Sequence, residues 1–100
     1  MKKIVLFCSQ GMSTSLLVNK MEKVAEKEGY DCKIEAHNLA SLSQKAPDAD
    51  IILLGPQIRF NEKKIKKQYP EKKVMVIDML MYGRMDGKGV LESAKKLLGD

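Results

Sequence analysis

A chain of 100 residues suits one domain with one core, and 44% apolar with 31% charged residues is the ordinary balance of a globular protein in water. The net charge of +5 is localised: residues 61–73 hold six lysines against two glutamates, and no aromatics alternate with them as a base-stacking platform requires, which argues against nucleic acid as a partner. No apolar run approaches the roughly 20 residues that span a bilayer, so direct membrane insertion is not expected.

Residues 3–7 are the first of four apolar runs that read as strands. Lys2 and Lys3 stand before its apolar residues, as in a signal peptide, but the run ends at Cys8 and is too short for one. Cytoplasm is therefore the expected compartment, and there Cys8 and Cys32 stay free thiols. Neither has a second cysteine or histidine at zinc spacing, so neither a metal nor another cofactor is expected.

Directly after Cys8 comes a turn of small residues, Ser9-Gln10-Gly11-Met12-Ser13-Thr14-Ser15, which opens a helix. Such a turn can aim several backbone N–H groups, and the positive end of a helix dipole, at one thiol or one bound anion. Gly11 lets the chain curl, Ser9, Ser13, Thr14 and Ser15 supply hydroxyls, and Ser13 or Thr14 can cap the helix.

The helix that follows carries Leu17, Met21 and Val24 on one face, and Gly29 is placed to end it in a left-handed conformation. Residues 32–36 form the second run. Leu39, Leu42 and Ala46 then give a short helical pattern expected to stop before Pro47. Residues 50–54 and 73–77 are the third and fourth runs; within them Ile51-Ile52-Leu53-Leu54 and Val74-Met75-Val76-Ile77 are continuously apolar, as in strands covered on both faces. Between them a helix is expected to start at Asn61 as its cap, with Phe60 stapled onto Ile65, and to end before Pro70. A last helix presents Val90, Leu91, Ala94, Leu97 and Leu98 on one face, and Gly99 follows it.

The order βαβαβαβα predicts an α/β fold over residues 1–100: a single four-stranded parallel sheet with helices on both faces. Right-handed crossovers favour the flavodoxin-like strand order 2-1-3-4. In that order the first strand is central, and ligands bind at the carboxyl ends of the strands beside it. The rim so defined holds Cys8 onward, His37-Asn38, Gly55-Pro56-Gln57 and Asp78.

A thiolate is a strong nucleophile, and hydroxyl and amide donors suit a phosphoryl group carried on sulfur. Small tyrosine phosphatases place a cysteine in a similar position, within a C-x5-R loop. Counted from Cys8, the arginine position holds Thr14. Without a guanidinium to stabilise the transferring phosphate, fast hydrolysis is disfavoured. A thiol redox protein is disfavoured by the lack of C-x-x-C, and a receiver domain by the lack of an aspartate cluster.

The chain resembles the IIB component of the bacterial sugar phosphotransferase system, lactose/cellobiose family. Cys8-Ser9-Gln10-Gly11-Met12-Ser13-Thr14-Ser15-Leu16-Leu17, Leu53-Leu54-Gly55-Pro56-Gln57-Ile58, Val76-Ile77-Asp78, and Tyr82-Gly83 with Asp86-Gly87 carry the resemblance. It implies that Cys8 takes phosphate from a phosphohistidine on a IIA protein and passes it to a sugar held by the membrane IIC component. It also implies that residues 9–15 bind the phosphate. Arg84 and the lysines of 61–73 match no family role.

Plainer roles fit most other candidates. Cys32 reads as core and His37 as a strand-end polar residue. Gln57 reads equally as a donor to the phosphate or as part of a turn. Asp78 reads mainly as a cap, and Tyr82 as either a border of the site or packing beneath the last loop. Met12 is an apolar side chain placed to meet a partner, and Lys63, Lys64, Lys66 and Lys67 read as a solvated helix face, with docking to an acidic partner as the alternative.

Overall fold

A computed structural model describes residues 1–9 and 11–100 of the chain, apart from the side chains of residues 11–13. The four apolar runs form strands β1 (Lys2–Cys8), β2 (Cys32–Asn38), β3 (Ile51–Leu54) and β4 (Lys73–Val76). All pair in parallel, in the order β2-β1-β3-β4 that the alternation of elements predicts. β1 is central: Phe7 lies opposite His37 on one side and Leu54 on the other. His37 and Asn38 belong to β2 rather than to the loop beyond it.

Side chains alternate across the sheet, so each continuous apolar run supplies both faces. Ile4, Leu6, Ile51 and Leu53 pack with Leu17, Met21, Val90, Leu91 and Ala94. Those partners belong to α1 (Gly11–Glu28) and α5 (Gly87–Leu98). Val5, Phe7, Ile52, Leu54 and Val74 pack on the other face with Ala46, Ile58 and Ile65. Ile65 lies in α3 (Glu62–Gln68), and Ala46 directly follows the single turn α2 (Leu42–Lys45). The left-handed glycines lie where the sequence predicts, Gly29 at φ 69° after α1 and Gly99 at φ 84° after α5.

Four local expectations are corrected. The second helical pattern does not stop before Pro47. A 3-10 turn, Ala46–Asp48, runs through it, because proline near the start of a helical turn gives up an N–H that has no partner there anyway. Asn61 does not cap α3. A 3-10 stretch, Pro56–Asn61, feeds straight into the helix, and the Glu62 N–H already bonds the Arg59 carbonyl. Phe60 makes no staple, being 79% exposed while Ile65 is buried. Leu97 is 40% exposed, because it falls at the edge of the stripe centred on Val90, Leu91 and Ala94. One element was not foreseen, the short helix α4 (Met79–Gly83).

The β2 edge carries charge. Glu35 Oε1 lies 2.9 Å from His37 Nε2, and Glu35 Oε2 lies 3.3 Å from Lys33 Nζ and 3.8 Å from Lys3 Nζ. The His37 hydrogen bond, helped by the two lysines and opposed by partial burial, holds the Glu35 carboxyl below its usual value. A depressed carboxyl adds stability above its unfolded pKa and loses it as pH falls through its folded one. Glu35→Gln should therefore cost about 0.5–1 kcal/mol near neutral pH, and in urea melts the deficit should shrink as pH falls through the lowered folded-state range of the carboxyl. A deficit independent of pH would trace the loss to packing instead.

Candidate active site

Cys8 ends the central strand and is 1% exposed. The turn after β3 is drawn against it: the Gly55 N–H donates to the Phe7 carbonyl at 2.9 Å. A Cβ on Gly55 would sit 3.1 Å from Cys8 Cβ and 2.9 Å from Gln57 Oε1. Only a residue without a side chain lets this turn lie so close to the thiol. On the other side α1 starts at Gly11, within three residues of the thiol along the chain. Its first-turn N–H groups have no intrahelical partners, which makes this end of an 18-residue helix favourable to negative charge.

Thr14 is buried, and its hydroxyl pairs with the thiol: Cys8 Sγ to Thr14 Oγ1 is 2.6 Å. Because α1 begins at Gly11, Ser13 and Thr14 lie inside the helix rather than at its cap. Thr14 Oγ1 also lies 3.2 Å from the Tyr82 hydroxyl. Three polar groups from β1, α1 and α4 thus form one buried chain. An arginine at position 14 would find that space already filled.

Tyr82 joins this chain to a cleft of about 310 Å³, lined by Pro56, Gln57, Arg59, Met79, Tyr82 and Gly83. The Tyr82 ring is only 8% exposed, so it borders the site from inside rather than offering a surface contact. Asp78 has a structural duty: its carboxylate caps α4, accepting from the N–H groups of Leu80 and Met81 at 3.1 and 3.2 Å. Gln57 is exposed at the cleft, within the 3-10 stretch. Ser9 and Ser15 are exposed beside Cys8 and on α1. Gln10 and the side chains of Gly11, Met12 and Ser13 lie outside the described residues.

The other thiol is different. Cys32 opens β2 at the amino end of the sheet, remote from the carboxyl-end rim. Burial, followed by the negative charges of Asp31 and Glu22, pushes its pKa up. A thiol held protonated is a poor nucleophile. Lys63, Lys64, Lys66 and Lys67 line an open surface depression, with Lys66 paired to Glu62 at 3.0 Å, as a solvated helix face would be.

Sequence reasoning missed two features here. Met79 and Leu80 are 60% and 67% exposed beside the cleft, on the unforeseen α4. Two apolar residues next to a capping aspartate, in a stretch too short to bury them, were the available signal. The Thr14–Tyr82 contact spans 68 positions and left no local trace.

Fold and site together define a flavodoxin-like α/β domain organised around one strand-end thiol at the sheet's switch point. The family model "PTS system, Lactose/Cellobiose specific IIB subunit" matches residues 3–93. The chain is 41% identical to the oligo-beta-mannoside-specific EIIB component of Bacillus subtilis strain 168, over 98% of this chain and 97% of that one. It is 40% identical to the galactose-specific EIIB component of Lactococcus lactis subsp. cremoris MG1363, over 97% and 96%. A solved cellobiose-specific IIB component from Borrelia burgdorferi superposes with a TM-score of 0.81 at 36% identity, covering 98% of this chain and 92% of that one. The chain belongs to the lactose/cellobiose-specific IIB family of the phosphotransferase system, whose members are phosphotransferases of sugar uptake. Such components work with IIA and membrane IIC partners. Among the described residues no helix is long and apolar enough to cross a membrane.

Proposed function

We propose that this chain is a cytoplasmic phosphocarrier in which Cys8 takes a phosphoryl group from the phosphohistidine of a IIA protein. It then gives the group to a sugar bound by the membrane IIC component. The Cys8 sulfur attacks phosphorus in line with the phosphohistidine P–N bond. The S–P bond forms as the P–N bond breaks, and the thiol proton ends on the departing imidazole. In the second step a sugar hydroxyl oxygen attacks phosphorus and the S–P bond breaks. The hydroxyl proton is released, and sulfur returns to the thiol. The single observation carrying this reading is the placement of Cys8: a nucleophile at the carboxyl end of the central strand, with the start of α1 immediately after it.

A β-linked disaccharide or related oligosaccharide fits the relatives named for oligo-beta-mannosides and cellobiose. A galactose-specific relative stands at nearly the same identity, so the sugar is read from the class of relatives rather than from one of them. Residues 9–15 would hold the phosphate through their amides and hydroxyls. The partner proteins would dock on the rim around Cys8, where Met79 and Leu80 offer exposed apolar side chains. The test is intact mass after incubation with phosphoenolpyruvate, the general phosphotransfer proteins and a IIA protein. A gain of one phosphoryl group, mapped to Cys8, is expected; no gain overturns the proposal.

The alternative is a thiol hydrolase. Its transition state needs a guanidinium, and position 14 instead holds a buried threonine. Turnover of an aryl phosphate should be negligible beside that of a small tyrosine phosphatase. Robust hydrolysis that depends on Cys8 would restore the hydrolase reading. Thr14→Arg should not rescue hydrolysis, because overpacking that site costs about 1–3 kcal/mol before any charge is placed.

A further inference from the structure

The chain Cys8 Sγ–Thr14 Oγ1–Tyr82 OH, with separations of 2.6 and 3.2 Å, is buried, and Tyr82 packs in the apolar core. Thr14 is 1% exposed and Tyr82 8%. Each hydroxyl can donate or accept, so the chain has two polarities. With a neutral thiol, S–H can donate to Thr14, whose O–H then donates to Tyr82. With a charged sulfur the order reverses: Tyr82 O–H donates to Thr14, and Thr14 O–H donates to sulfur. No heavy atom has to move between the two. Bonds to a charged acceptor are the stronger kind, and linked hydroxyls polarise one another in a site shielded from water.

We propose that Tyr82, acting through Thr14, is a positioning residue for phosphoryl transfer: it turns the Thr14 hydroxyl toward sulfur as the sulfur becomes the nucleophile. Once sulfur carries phosphorus it is a poorer acceptor, and the same Thr14 hydroxyl is released toward a phosphoryl oxygen. Tyr82 touches neither phosphate nor partner in this role. The proposal rests on Cys8 being the phosphate acceptor.

The experiment is a double-mutant cycle in the full chain, read by quenched intact mass during a single turnover with phosphorylated IIA protein. Tyr82→Phe keeps the ring and removes the hydroxyl. It should slow labelling about three- to tenfold, the worth of the neutral hydrogen bond that orients the Thr14 hydroxyl. Thr14→Val should slow it at least as much, and Thr14→Ser should recover most of what valine loses. Tyr82→Phe placed on Thr14→Val should add nothing, which a merely structural role for the ring would not produce. The same cycle is read independently by iodoacetamide alkylation of Cys8, with Cys32 as internal control; Tyr82→Phe should slow it about threefold. A parental rate for Tyr82→Phe, or losses that multiply in the double variant, overturns the proposal. If the parental chain takes no phosphoryl group yet alkylation shows the coupling, the acceptor reading fails while the hydroxyl chain stands.

Discussion

Cys8→Ser is expected to carry no phosphoryl group under conditions in which the parental chain is fully labelled. The substitution replaces sulfur by oxygen at nearly constant volume. A serine hydroxyl can still pair with Thr14 Oγ1, so the fold and the surrounding packing should persist. What disappears is the soft, ionisable nucleophile that the phosphohistidine step requires. Removing the nucleophile of a covalent mechanism commonly costs far more than a thousandfold, so a fall of at least ~1,000-fold in labelling rate is expected. Cys32→Ser provides the contrast. Its thiol is held protonated by burial and by Asp31 and Glu22, at the opposite end of the sheet, and labelling should proceed at the parental rate. Full labelling of Cys8→Ser would place the acceptor elsewhere.

The largest effect on stability should come from Gly87→Ala. Gly87 begins α5 where that helix crosses α1. A Cβ there would lie 2.7 Å from the Lys20 carbonyl carbon and 2.8 Å from the Met21 amide nitrogen. These are backbone atoms of a long helix, so relief requires α1 and α5 to move apart. That would open the layer formed by Leu17, Met21, Val90, Leu91 and Ala94. Overpacking of this kind costs about 1–3 kcal/mol, and at roughly 4–8 °C per kcal/mol a domain of this size should melt about 4–24 °C lower. Gly83→Ala is the control. Nothing lies within 4 Å of its Cβ position, and φ there is not positive, so its melting point should stay level or rise by a degree or two. Equal melting points for the two variants would show that the helices give way at little cost.

The sheet was legible because its signal is dense. Runs such as Ile51-Ile52-Leu53-Leu54 leave no polar face, and only a strand covered on both sides uses them fully. Strand order followed from connection length and handedness, and the rim followed from the order. Helix starts were less legible. Asn61 looks like a cap in one dimension, but Pro56 and its successors had already begun a 3-10 turn, so the helix needed no side-chain cap. α4 has five residues, fewer than two turns, and no periodicity can be read from so few. At the site, the position of Cys8 was readable from local chain grammar. The Tyr82 contact was not, because its hydroxyl meets Thr14 only after three crossovers have brought the two residues together.

The pairing of β1 on both edges has a further consequence, for the time course of hydrogen exchange. Ile4 to Phe7 have strand neighbours on both sides and fully buried side chains, so their amides should open only with the whole domain. α4 is one short helix with Met79 and Leu80 in solvent, and its amides should open locally and early. Cys8 is thus rooted in the segment expected to exchange slowest, while the Tyr82 hydroxyl that reaches it through Thr14 stands on one expected to exchange among the fastest. Partner binding at the rim should slow exchange in residues 79–83 at the earliest time points, while β1 changes only at the longest times through the added global stability, making α4 the part of the molecule whose early protection reports the occupied state.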